Sequence, residues 1–208
     1  MKKLCRYSII DNNKPKEKLA RLGETWNHKS RMTVCAISWR MPCTAPVEKI
    51  TVKEIVETCG LTRQTFYRNF QDKYDLINWY FDKILLESFE HMGEGRTVYE
   101  SLVNKFEYIQ MEQLFFRAAF KNDQQNCLRD HDFELIQEFY TKQIESRTGR
   151  KISTELQFEL EMYCLGSVYM TVQWVLGYRK CTPEELAHAL TESMPVRLRE
   201  VFQKLGLI

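Results

Sequence analysis

Arg63, Gln64, Thr65, Tyr67 and Arg68 place five hydrogen-bonding side chains within six residues. Arginine can bond a guanine edge through two donors at once, glutamine can do the same to adenine, and threonine offers a methyl or a hydroxyl. Tyrosine and arginine also reach phosphate oxygens. The interleaved Phe66 and Phe70 lie four apart, so on a helix they share a face that packs inward while the polar set is presented outward. The chemistry such a set could perform is recognition of a nucleic-acid duplex. The plain alternative for each polar residue is a solvated helix face.

Presenting these side chains requires a scaffold, and the flanking residues spell one. Between Lys49 and Leu76, two short helices are joined by Cys59-Gly60-Leu61, with glycine where the chain must turn sharply. Thr51 is an N-cap, with Glu54 three residues on completing a capping box. Ile55, Val56 and Cys59 form the apolar stripe of this first helix, which is too short to stand alone and needs Phe66 and Phe70 against it. Thr62 caps the second helix. Asp72 caps a third, longer one that should run to about Met92 with Leu76, Ile77, Tyr80, Phe81, Ile84 and Leu85 inward.

These residues resemble the TetR family of bacterial transcription regulators. The likeness rests on Ile50-Thr51-Val52-Lys53-Glu54-Ile55, Cys59-Gly60-Leu61-Thr62, Thr65-Phe66-Tyr67-Arg68-Asn69-Phe70 and Lys73 before Leu76. Arg63 to Tyr67 and Trp79-Tyr80-Phe81 are also similar to the branch of that family containing the dihydroxyacetone kinase activator of lactic bacteria. The resemblance implies roles. Thr51 would bond a phosphate through its hydroxyl or backbone N–H, and Lys73 would contact phosphate near the start of the next helix. Arg63, Gln64 and Thr65 would face the major groove, with Tyr67 clamping the backbone, and Thr62 and Arg68 would also belong to the DNA-binding set. Phe66, Phe70 and Leu76 would be core. The partner implied is double-stranded DNA with a palindromic operator, and a small-molecule effector is the expected regulator.

One segment departs from the family pattern. Where a regular amphipathic helix is expected, Thr33 to Ala45 is β-branched and Cys-rich, and Pro42 would interrupt a helix interior. A local, compensated frameshift would account for it, and resequencing that finds no insertion or deletion removes that explanation; the plainer reading is a weak helix with Val34, Ile37 and Trp39 against the motif. If the helix does not form, the motif helices lose a packing partner. The alternative reading is then a helical ligand- or protein-binding module that has lost DNA binding.

The rest of the chain reads as helices throughout. Thr97 to about Lys121 has the helical period with a break near Gln110, and Asn126 to Thr148 follows, stopping at Gly149. A long, apolar helix starts at Ser153 or Thr154 and runs to about Gly177. The last begins at Thr182-Pro183-Glu184-Glu185 and runs toward Leu205 with Pro195 as a kink or break. The expected fold is all-α, with a poorly ordered leader over 1–27 that includes a short helix from Pro15 to Leu22. A three-helix headpiece over 28–75 and an effector-binding, dimerisation body over 76–208 complete it. The last two helices of that body, with small Gly166 and Ser167, are the expected face of an isologous homodimer. Most of Phe106, Tyr108, Phe115, Phe116, Phe120, Phe133, Phe139, Tyr140, Tyr163, Tyr169 and Trp174 should be core.

Composition agrees with this division. The first 72 residues carry 14 Lys and Arg against 7 Asp and Glu, and the remainder 16 against 21. A basic front on an acidic body suits a polyanion at one end. No apolar run approaches the roughly 20 residues that span a bilayer, and seven cysteines without a Cys-x-x-Cys pair read as free thiols in a reducing cytoplasm. Asp130-His131-Asp132 is the nearest approach to a metal motif, but adjacent helix residues point apart and Asp132 serves as a cap. No metal and no cofactor is implied. No Ser/His/Asp spacing, phosphate loop or carboxylate pair supports an enzyme.

Overall fold

Three helices begin in the same way, with a threonine followed three residues later by a glutamate. The computed structural model describes residues 49–58, 60–121 and 127–208. In it Thr51, Thr97 and Thr182 each accept the backbone N–H of Glu54, Glu100 or Glu185, and each glutamate accepts the threonine's own N–H in return. The expected leader over 1–27, the Pro15–Leu22 helix and the irregular Thr33–Ala45 stretch lie outside the described residues.

The chain divides into two compact units, one ending at Leu76 and one beginning at Ile77. In the first, α1 (Val52–Thr58) and α2 (Arg63–Asn69) pack together, and α3 (Lys73–Phe89) begins. Gly60 adopts φ +65°. Its N–H reaches Glu57 O at 3.2 Å, and Leu61 N–H reaches back to Val56 O at 2.8 Å. This pair of bonds closes the orphan carbonyls of α1 and turns the chain into α2. Ile55, Val56, Phe66, Phe70 and Leu76 are buried, and the Phe66 and Phe70 rings meet at 5.5 Å. Asp72 caps α3 as expected, its Oδ1 accepting from Tyr74 and Asp75 N–H at 2.8 and 2.9 Å.

The second unit holds the rest of α3, then α4 (Val98–Met111), α5 (Gln113–Lys121), α6 (Leu128–Thr148), α7 (Thr154–Val175), α8 (Pro183–Glu192) and α9 (Val196–Lys204). The described residues contain helices and no strand. Helix α8 lies along α4, and α7 packs on α5, α6 and α9. Phe81 meets Phe116 and Phe120 edge-on, Phe106 meets Trp174, and Tyr140 meets Phe202. Of the expected core aromatics, Phe133 and Phe139 are half-buried, and Tyr108 and Tyr169 are exposed.

Several boundaries differ from expectation. Helix α3 stops at Phe89, short of Met92, because the chain folds into a turn with Gly93 at φ +77° and Gly95 at φ +102°. A Cβ on Gly93 would sit 2.3 Å from the Arg147 guanidinium, which donates to Met92 O and Gly93 O. The α4–α5 break falls at Glu112 rather than Gln110, and Pro195 separates α8 from α9 outright. Asp132 is not a cap. It is fully buried and takes the Lys105 ammonium at 3.0 Å, a pairing between elements that local sequence does not encode. No helix among the described residues is long and apolar enough to cross a membrane.

Candidate nucleic-acid interface

The sequence of α2 sorts cleanly onto two faces. Phe66 is buried, whereas Arg63, Gln64, Tyr67 and Arg68, at spacing i, i+1, i+4 and i+5, are exposed. No hydrogen bond or ion pair among the described residues engages the side chains of Arg63, Gln64 or Arg68. Tyr67 is 57% exposed, and its ring stands edge-on to Phe66 at 5.5 Å, so the buried phenylalanine steadies the phenol from beneath. The helix carries two arginines and no acid. Its outer face therefore offers guanidinium and amide donors with a positive field.

Thr62 and Thr65 are arranged differently. Thr62 Oγ1 accepts Thr65 N–H at 3.1 Å, and the two hydroxyls share a hydrogen bond at 2.9 Å. Both serve first as the start of α2, with one hydroxyl hydrogen of the pair left over. Asn69 is a helix-end residue: its Nδ2 donates to Thr65 O at 2.8 Å.

A second group gathers where α1 begins. Glu54 Oε2 accepts both the Thr51 N–H and the Thr51 hydroxyl, each at 2.7 Å. These bonds hold the Glu54 carboxyl below its ordinary pKa, backbone bond first. Both donors assigned to a phosphate are thus occupied within the protein, and a phosphate at Thr51 must displace Glu54. Lys73 Nζ donates to Ile50 O at 2.8 Å and sits 5.1 Å from the Tyr74 ring centroid. The structure thereby brings Lys73 to the residue before Thr51. Sequence reading recognised the capping box but missed that it consumes the Thr51 hydroxyl. It also missed the Lys73 tether, which spans 23 residues and leaves no local signal.

Two short helices with a glycine-capped turn, the second presenting a basic, donor-rich face, followed by an all-helical unit, are the architecture of a helix-turn-helix protein. The chain belongs to the TetR family. The family model described as bacterial regulatory proteins, tetR family, matches residues 45–79, and one described as a transcriptional regulator C-terminal region matches 80–195. The HTH-type dhaKLM operon transcriptional activator DhaS of Lactococcus lactis subsp. lactis (strain IL1403) is 28% identical over 75 residues, 36% of this chain. That match spans 40% of the relative's length. A solved structure, the dihydroxyacetone kinase operon activator DhaS, superposes with a TM-score of 0.57 at 15% identity, covering 86% of this chain and 97% of its own. This second likeness is one of fold.

Proposed function

We propose that the protein is a dimeric regulator whose headpiece, over 28–75, reads a palindromic operator, and whose body, over 76–208, sets the spacing of two headpieces in response to a small molecule. The observation that carries this reading is the outer face of α2. Its Arg63, Gln64, Tyr67 and Arg68 side chains are held out on a helix whose other face is buried. Arg63 and Gln64, in the first turn of α2, read base edges, and Tyr67 and Arg68 hold the backbone. Thr62 and Thr65 position the helix start and contribute at most a hydroxyl. Lys73 adds a phosphate contact at the beginning of α3, and Thr51 joins it where phosphate displaces Glu54. Two recognition helices must lie about one turn, ~34–36 Å, apart to enter successive major grooves. An effector that prefers another body conformation alters that distance and so the affinity, by linkage and without chemistry. Helix α3 is the lever, because it starts in one unit and ends in the other.

The test is selection of bound fragments from random DNA by the full chain. The expected result is an inverted repeat whose half-site centres are one helical turn, or a multiple of it, apart. Recovery of unrelated sequences, with binding insensitive to salt, removes the proposal.

Dimerisation is assigned to α7 with α9. Phe158, Met162, Leu165 and Tyr169 recur at spacings of four, three and four on α7 and are 47–64% exposed, the pattern of a helix seam awaiting a partner. Gly166 lies on the same exposed side with open space where a Cβ would be. Val196 of α9 is exposed nearby, and Arg197 pairs with Glu159 of α7 at 3.4 Å. Helix α8 spends its apolar face on α4, so the dimer uses α9 rather than α8. Leu165→Glu would bury two carboxylates in an isologous contact. The expected product is a folded monomer by analytical ultracentrifugation, and an unchanged dimer would move the interface elsewhere.

A further inference from the structure

His131 and Asp132, neighbours on α6, grip two different helices. The His131 imidazole is hydrogen-bonded through Nε2 to Asp82 Oδ1 of α3. Asp132 takes the Lys105 ammonium of α4 at 3.0 Å. Adjacent residues diverge by about 100° around a helix, so one turn of α6 holds both neighbours at once. The two ties differ in exposure. The Lys105–Asp132 pair is shut away from solvent, whereas the His131 and Asp82 side chains are each 25% exposed.

With the imidazole protonated, His131 offsets Asp82 as Lys105 offsets Asp132. Loss of the proton leaves Asp82 facing a neutral ring, with Glu134 of α6 adding a further negative charge nearby. The charged groups acting on the ring are Asp82 from α3 and Asp132 and Glu134 from its own helix; Lys105 of α4 pairs with Asp132. Burial pulls the His131 pKa down, but the hydrogen bond to Asp82 and then the charges of Asp82, Asp132 and Glu134 push it up, and the net shift is upward. A neutral imidazole can still donate one hydrogen bond, but the attraction between charges is gone.

Asp82 lies within about two turns of Leu76, near the point where α3 leaves the first unit. We propose that His131 is a proton-operated latch on α3. Protonated, it ties Asp82 to α6; deprotonated, it weakens that tie and lowers the affinity of the regulator for its DNA. The second half of this statement rests on the reading of the headpiece given above. The direction follows from entropy: a latched α3 samples fewer orientations, so less freedom is lost when two headpieces settle on one duplex. Stability follows the same sign. The folded-state pKa lies above the ordinary value of 6.5. The latch therefore contributes fully below the unfolded-state value, and its contribution is lost as pH rises through the folded-state value.

The experiment compares the full-length wild type with His131→Gln and Asp82→Asn between pH 6 and 8 at constant ionic strength, reading melting temperature and DNA affinity. In wild type both should fall with rising pH, the affinity by about five- to tenfold. In His131→Gln, which keeps a donor but cannot titrate, this component should vanish from both readouts. Identical melting profiles for wild type and His131→Gln overturn the latch. A His131-dependent melting profile with pH-independent affinity overturns its hold on DNA. If no DNA binds at any pH, the headpiece reading fails while the melting comparison still decides the latch. Should both variants fail to fold, NMR titration of the His131 ring in wild type decides: a pKa at or below the ordinary histidine value overturns the proposal.

Discussion

Asp132→Ala should cost the helical body about 3–5 kcal/mol, enough to unfold much of it at ordinary temperature. Lys105 is 3% exposed and Asp132 not at all. Removing the carboxylate leaves an ammonium 5.3 Å above the Phe81 ring centroid with no anion beside it. The neighbourhood has little to offer in exchange. Tyr140 is wholly buried, and its hydroxyl meets no partner among the described residues. Burial pushes the Cys164 thiol far up, and Asp132 adds to that shift. The cost measured on Asp132→Ala is therefore mainly the penalty of a stranded charge rather than the worth of the pair. The double variant Lys105→Met with Asp132→Leu separates the two quantities, because it removes both charges at similar volume. Its stability should return to within about 1–2 kcal/mol of wild type. Urea denaturation of the single and double variants checks this. A double variant as unstable as Asp132→Ala would show that the pair itself holds α4 to α6.

Tyr67→Ala combined with Lys73→Ala should abolish specific DNA binding, a loss of about two orders of magnitude or more in affinity. The two residues act by different physics, and the salt dependence tells them apart. Lys73 carries a full charge, so losing its phosphate contact lowers the slope of log affinity against log salt by about one. Tyr67 is neutral, so its loss weakens binding at every salt concentration with the slope nearly unchanged. Arg63→Ala behaves in a third way. It should cost about 1–3 kcal/mol against one preferred base pair and relax selection at that position. Folding controls are needed for Lys73 alone, because its ammonium also tethers Ile50 O at 2.8 Å. Lys73→Arg keeps the charge and tests the tether. Wild-type affinity and slope in the Tyr67→Ala, Lys73→Ala protein would remove α2 and the start of α3 from the interface.

What could be read from residues alone was local. Thr51 with Glu54, Thr62, Asp72, Ser153 and Thr182 with Glu185 mark where helices begin, and the structure starts a helix after each. Gly60 and Gly149 end α1 and α6 in left-handed conformations, where an L side chain would be strained. The alternation of Phe66 and Phe70 with polar residues was equally visible, and with it the family. One reading failed and another was incomplete, for a common reason. Asp132 looked like a cap because caps are short-range, and the Thr51–Glu54 pair was read as a helix start without noting that it also engages the Thr51 hydroxyl.

By itself, then, the sequence determined that the described residues are helical, where most helices start, and that α2 has one apolar and one donor-rich polar face. These follow from bonds and contacts within about four residues, which composition and spacing encode directly. Only the tertiary structure decided that Asp132 meets Lys105, that His131 meets Asp82 and that Lys73 reaches Ile50. It also decided which flank of α7 keeps its apolar side chains open to solvent. Partners 23 to 49 residues apart are chosen by how helices pack, and packing depends on all the side chains at once rather than on any short run of them.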